Sequence, residues 1–166
     1  MIKKLENYVF IDAQNLFISA QKRGWKVDWR KFYFHLKEKY LARKVFIFIG
    51  YLESNRRLYE FLIHLGYTLN FKQTLMVNGK VKGNVDVDLT VKALTTMDEY
   101  NQAVIVTNDG DFLALIRHLE SKNKLRMILS THKFDCSLLI KRAFPEKVQF
   151  LEDFRTRLSR KGSRSS

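Results

Sequence analysis

Ala103-Val104-Ile105-Val106-Thr107-Asn108-Asp109-Gly110-Asp111-Phe112 is the stretch that decides how this chain folds. Four apolar residues predict a buried strand, and apolar residues from Phe112 to Leu119 then recur at helical spacing. Two carboxylates, Asp109 and Asp111, therefore lie where a strand passes into a helix. In open α/β sheets ligands bind at this edge, just outside the carboxyl ends of the strands.

Further apolar runs predict more strands on either side of this stretch. Nearly continuous apolar runs at residues 7–12, 44–51 and 125–130 are typical of strands in a parallel sheet that is buried on both faces. Apolar and polar side chains alternate at residues 67–72, as they do in an edge strand. Asn78-Gly79 predicts a short hairpin turn, and helical patterns separate the other strands. We therefore predict a three-layer α/β/α sandwich with a mainly parallel central sheet, of the doubly wound, Rossmann-like kind.

Composition limits the domain organisation and the partners. A chain of 166 residues predicts one domain, over residues 1–154, followed by a disordered basic tail at 155–166. The single cysteine excludes an internal disulfide and fits a cytoplasmic location. No apolar run reaches the roughly 20 residues of a membrane helix. The net charge of +13 favours a polyanionic partner, with nucleic acid before an anionic membrane.

Four acidic residues form the candidate site, Asp12, Asp86, Asp109 and Asp111. Asp12 and Asp109 both follow predicted central strands, and neighbouring strand ends lie about 5 Å apart. Such carboxylates repel one another unless a cation joins them. Carboxylate oxygens suit Mg²⁺ or Mn²⁺, and the four histidines are spread over different elements, which argues against zinc.

An acidic site in a basic chain is typical of a nuclease or a phosphotransferase. The cation would activate a water molecule for attack on a phosphoryl group, and basic flanks would hold phosphates. The chain has no Gly-x-x-x-x-Gly-Lys loop, which disfavours nucleotide hydrolysis. Residues 22–44 interleave basic and aromatic side chains, which fits either a solvated helix over an aromatic core or a phosphate-binding flank.

Three motifs resemble the NYN domains, which are PIN-like nucleases, and within them the LabA-like branch. They are Val9-Phe10-Ile11-Asp12-Ala13-Gln14-Asn15, Lys82-Gly83-Asn84-Val85-Asp86-Val87-Asp88-Leu89 and Val106-Thr107-Asn108-Asp109-Gly110-Asp111-Phe112. The resemblance implies a PIN-like sheet, a divalent-metal site and RNA cleavage. It also implies site roles for the four aspartates, for Asn15 and for Thr107.

One departure from that branch leaves a second interpretation open. Lys92 stands where the branch often has an acid, so it either contacts phosphate or neutralises a carboxylate. The alternative to a ribonuclease is therefore an RNA-binding or regulatory module with little or no catalysis. The candidate nucleic-acid-binding residues are Arg56, Arg57, Lys72, Lys82 and Lys92. The sequence leaves open whether DNA is also a substrate and whether the chain forms a homodimer.

Overall fold

The computed structural model describes residues 6–72, 75–78, 80–82 and 85–161, with the backbone alone at residues 15, 75–77 and 80–82. Six parallel strands form the central sheet, in the order β3-β2-β1-β6-β7-β8. They are β1 (Asn7–Asp12), β2 (Ala42–Gly50), β3 (Thr68–Lys72), β6 (Ala103–Val106), β7 (Leu125–Ser130) and β8 (Val148–Phe150). A separate antiparallel hairpin joins β4 (Leu75–Val77) to β5 (Lys80–Lys82). The predicted sheet and hairpin are confirmed, although Gly79 of the predicted turn lies outside the described residues.

Seven helices are seen in the described part of the chain. They are α1 (Ala13–Lys22), α2 (Trp29–Tyr40), α3 (Arg56–Leu65), α4 (Val85–Thr95), α5 (Leu113–Ser121), α6 (Leu138–Ala143) and α7 (Arg155–Leu158). Asp28 caps α2, because its carboxylate accepts a hydrogen bond from the Lys31 amide at 3.0 Å. None of these helices has the length and apolar content that crossing a membrane requires.

The strands bury both of their faces, which explains why their sequences are continuously apolar. Val9 and Ile11 of β1 point into a core built with α1, α2 and α3. Tyr8 and Phe10 point to the opposite face, into a core built with α4, α5 and α6. Phe10 stacks on Phe46 there, with ring centroids 5.4 Å apart. The three-layer α/β/α sandwich is therefore confirmed.

The aromatic residues between 22 and 44 belong mainly to the core. Trp25, Trp29 and Phe32 are buried, and Trp29 packs edge-on against Phe17 at a centroid distance of 4.6 Å. Among the aromatic side chains of this stretch, only Phe34 is more than half exposed. Of the two interpretations of this stretch, the structure supports the aromatic core, since few rings are left to stack on bases.

The C-terminal segment differs from the predicted disordered tail. Residues 155–158 form α7, and Leu158 is fully buried in the core that α1 and α2 share. The Asp28 amide donates to the Leu158 carbonyl at 2.7 Å, and Ser159 forms a bridge with Val27. The prediction of a tail from residue 155 is therefore wrong for residues 155–161, because one leucine among the basic residues anchors the segment. Residues 162–166 lie outside the described part of the chain.

Candidate metal centre

The loop after β6 holds its two aspartates by short-range hydrogen bonds. The Asp109 amide donates to Thr107 Oγ1 at 3.1 Å, and the Asp111 amide donates to Asp109 Oδ1 at 2.9 Å. A 3₁₀ turn at Gly110–Phe112 leads into α5, and Phe112 is buried beneath it. Asp109 is half-buried and Asp111 exposed, so one carboxylate is held by the loop while the next faces solvent.

Asn108 fixes this loop to the neighbouring strand, a role that sequence analysis missed. Its side-chain oxygen accepts hydrogen bonds from the Ser130 hydroxyl and, at 2.9 Å, from the Thr131 amide. Its side-chain nitrogen donates to Thr131 Oγ1 at 3.1 Å. The polar residues that end β7 were the available signal, because strand ends in a parallel sheet meet at one edge.

Gly110 brings the loop close to the start of α6. A Cβ atom at this position would lie 2.5 Å from Ser137 Oγ and 3.2 Å from Ser137 Cβ. The Ser137 amide also donates to the Asn108 carbonyl at 2.9 Å. The glycine between the two aspartates therefore allows close packing, since a larger residue at this position would push α6 away.

Asp12 lies at the end of β1 beside the same loop. β1 pairs with β6, and the Thr107 hydroxyl donates to Asp12 Oδ2 at 3.0 Å. Both side chains are nearly inaccessible to solvent, at 2% for Asp12 and 3% for Thr107. The expectation that the ends of β1 and β6 adjoin is confirmed, and Thr107 is the residue that joins the two segments.

Asp86 completes the cluster from the first turn of α4. One oxygen atom from each of Asp86, Asp109 and Asp111 lies within 4.8 Å of the others. Burial raises the pKa of Asp86 to about 6, helped by the charges of Asp109, Asp12 and Asp111 and opposed by Lys72. Asp88, two residues along the same helix, is exposed and is not part of the group. Asp86, and not Asp88, therefore belongs to the cluster. Residues two apart on a helix point in different directions, so only one of the two can face the site.

The donor set fits a hard divalent cation. The three converging groups are all carboxylates, which are the ligands that Mg²⁺ and Mn²⁺ prefer. Burial raises the pKa of Asp86, and the charges of Asp109, Asp12 and Asp111 raise it further. Asp12 carries a charge that acts on Asp86 but is not one of the three converging ligands. Of the four aspartates that the sequence predicted as metal ligands, three are therefore candidate ligands in the structure, and Asp12 is a buried carboxylate behind them.

The predicted nucleic-acid-binding residues fall in different surroundings. Arg56 and Arg57 are exposed at the start of α3, where Arg56 forms ion pairs with Glu53 and Glu60 at 4.0 and 3.4 Å. The ammonium of Lys92 lies 5.4 Å from the centre of the Phe46 ring and is not among the charges that shift the pKa of Asp86. The side chains of Lys82 and Asn15 lie outside the described residues.

Lys72 differs from the other predicted phosphate contacts, because it is buried. Its side chain lies at the end of β3 with 9% of the residue exposed, and its charge acts on Asp86. The sequence predicted Lys72 as a nucleic-acid-binding residue. Its spacing gave no sign that Lys72, and not Lys92, is the cation whose charge acts on Asp86.

Comparison with known proteins gives a family and a fold. A cyanobacterial protein, the low amplitude and bright protein LabA of Synechococcus elongatus, is 27% identical over 134 residues, which cover 74% of this chain and 72% of LabA. The crystal structure of a protein of unknown function from Vibrio parahaemolyticus superposes with a TM-score of 0.73. That comparison covers 85% of this chain and 90% of the other at 19% identity, so it supports the fold alone.

The family assignment depends on the whole run of motifs and not on one of them. The profile of the NYN domain matches residues 7–144, a range that contains Asp12, Asp86, Asp109 and Asp111. The resemblance seen in the three sequence motifs is thereby confirmed. This chain belongs to the NYN domain family of PIN-like nucleases.

Proposed function

We propose that this protein is a divalent-metal-dependent ribonuclease. The observation that carries the proposal is the convergence of three carboxylates, from Asp86, Asp109 and Asp111, within 4.8 Å at the edge of a parallel sheet. NYN domains are generally nucleases, and members of this superfamily use divalent metals. The acidic cluster therefore has the composition that the family's chemistry needs.

Each residue of the site has a definite part in this proposal. Asp86, Asp109 and Asp111 would hold Mg²⁺ or Mn²⁺, which when bound polarises a phosphoryl group and lowers the pKa of a water molecule. The Asp111 amide holds the Asp109 carboxylate in place at 2.9 Å. Thr107 holds Asp12 behind the ligands, and this buried charge adds to the attraction for a cation.

The charge of the rest of the chain supports a polyanionic substrate. Its net charge of +13 attracts nucleic acid, and the exposed Arg56 and Arg57 lie at the start of the helix that follows β2. Phosphates bound by such groups would bring the backbone of an RNA towards the acidic edge. RNA as the preferred substrate, a cytoplasmic location and the oligomeric state stay predictions.

RNA cleavage with purified protein tests the proposal. Wild type should cleave a labelled single-stranded RNA with Mg²⁺ or Mn²⁺ and stop when EDTA is added. Asp109→Asn should lose at least about 100-fold in rate, because even groups that only orient metal ligands are worth 10- to 100-fold. Asp88→Asn is the matched control, since Asp88 lies on the same helix as Asp86 but outside the group.

The outcomes separate the two functions. Cleavage that is equal in wild type and Asp109→Asn would identify a contaminating nuclease and refute the assignment. RNA binding that weakens steeply with salt, without cleavage under any metal condition, would instead support the non-catalytic RNA-binding module.

A further inference from the structure

Lys72 combines two properties that rarely occur together. It ends β3, and only 9% of it is exposed, yet among the residues that the structure describes its ammonium has no hydrogen-bond partner. Burying a charged group without a partner is costly. A lysine that served only to fill this space would be less favourable than a methionine of similar length. Something in its surroundings must therefore compensate the charge.

The strand register places Lys72 at the same edge of the sheet as the acidic cluster. Lys72 pairs with Gly50 of β2, and Phe48 of the same strand pairs with Asp12 of β1. The charge of Lys72 accordingly acts on Asp86, where it opposes the effects of the other carboxylates. The attraction between the ammonium and the carboxylates needs no direct hydrogen bond, because charges interact strongly where little water lies between them.

The other candidate cation of this region is held elsewhere. Lys92 is six residues beyond Asp86 on α4, which places it about 9 Å further along the helix axis. Its ammonium lies over the ring of Phe46, which is a core residue of β2. Lys92 is not among the charges that shift Asp86, so it offers a matched comparison for Lys72.

We propose that Lys72 is a resident cation of the acidic site and a positioning residue that shares Asp86 with the divalent metal. This proposal rests on the proposed function, since it requires a metal at the three carboxylates. The ammonium offsets part of their repulsion when the metal is absent. When the metal binds, the same charge opposes it, so Lys72 weakens the hold on the metal and leaves the occupied site less negative towards an incoming phosphate.

Removing this charge should therefore tighten metal binding. A neutral side chain at position 72 leaves the carboxylates with no internal competitor, and one unit charge close to a divalent cation is worth about a factor of ten in affinity. A residue that only fills space would show no such change. A gain of metal affinity on losing a buried lysine is thus specific for the proposed role.

Titration calorimetry with MnCl₂ at pH 8 tests the proposal on wild type, Lys72→Met, Lys72→Gln and the control Lys92→Met. We expect Kd for Mn²⁺ to fall about tenfold in both Lys72 variants and to stay within about twofold in Lys92→Met. Thermal unfolding, followed by circular dichroism, verifies that each variant is folded. An unchanged or higher Kd in the Lys72 variants would overturn the proposal.

Two further outcomes are also decisive. Should neither Lys72 variant fold without metal, folding restored by Mn²⁺ would support the proposal, because the metal would then replace the missing cation, and failure to restore it would overturn the proposal. If wild type itself binds no Mn²⁺, the proposed function fails. If wild type binds and the Lys72 variants bind equally, only the role of Lys72 fails.

Discussion

Replacing Asp86 by asparagine should stabilise the metal-free protein. The pKa of Asp86 is raised from 3.8 to about 6, first by burial and then by Asp109, Asp12 and Asp111. A carboxyl group whose pKa is higher in the folded state binds its proton more tightly there. Above pH 6 the ionised group therefore destabilises the fold, and this cost disappears as the pH falls through 6 towards 4. Asparagine has no charge and removes the cost at every pH.

The size of the effect follows from the shift. A change from 3.8 to about 6 corresponds to about 3 kcal/mol for a fully buried group. Asp86 is only half-buried, and solvent screening reduces this to about 1 kcal/mol. For a chain of 166 residues, about 1 kcal/mol raises the Tm by roughly 2–4 °C. Asp86→Asn should show this gain at pH 8, about half of it at pH 5 and little of it at pH 4.

Thermal unfolding in EDTA measures the gain, with Asp88→Asn as the control because that carboxylate is exposed and outside the cluster. Adding MnCl₂ at pH 8 should reverse the order, since wild type gains stability from the metal and Asp86→Asn loses a ligand. A Tm for Asp86→Asn at or below that of wild type at pH 8 in EDTA would refute the reasoning. So would a difference that is the same at pH 4 and pH 8.

Three further predictions test the framework of the site and of the fold. Thr107→Val removes the donor to Asp12 and the acceptor of the Asp109 amide, so urea unfolding should show a loss of about 1–3 kcal/mol, whereas Thr107→Ser should stay close to wild type. Gly110→Ala places a methyl group 2.5 Å from Ser137 Oγ, so it should cost about 1–3 kcal/mol in the same assay, and adding Ser137→Ala should recover part of the loss. Leu158→Ala should cost about 2–5 kcal/mol, because Leu158 is fully buried, and a change within about 0.5 kcal/mol would mean that α7 is not held in the core.

The sheet and much of the site could be predicted because their signals are local. Continuous apolar runs such as residues 103–106 mark strands that are covered on both faces. Asp12 and Asp109 follow two of these strands, and parallel strands present their carboxyl ends at one edge. The two segments are adjacent if β1 pairs with β6, and the structure confirms this pairing. The period of the helix showed only that Asp86 and Asp88 cannot both face one site, and the family resemblance indicated Asp86.

Other features depend on contacts that no spacing in the sequence reveals. Residues 155–166 have the composition of a tail, yet the buried Leu158 and the backbone contacts of residues 158–160 hold α7 against the domain. Asn108 is one polar residue among several until the end of β7 is placed beside it. Lys72 and Lys92 were equivalent as basic residues near predicted acidic segments. Only the packing shows that one faces Asp86 and the other covers Phe46.

The charge of the whole chain does not neutralise the acidic site, and the reason is distance. Interactions between exposed charges fade beyond a Debye length of about 8–10 Å at physiological salt. Arg56, for example, is paired with Glu53 and Glu60 at 4.0 and 3.4 Å. Burial and then the charges of Asp109, Asp12 and Asp111 raise the pKa of Asp86, although the chain carries a net charge of +13. Cations inside the cluster must therefore balance it, and the structure offers Lys72 and a place for a divalent metal. The basic surface is left to attract the phosphate backbone without competing for the same carboxylates.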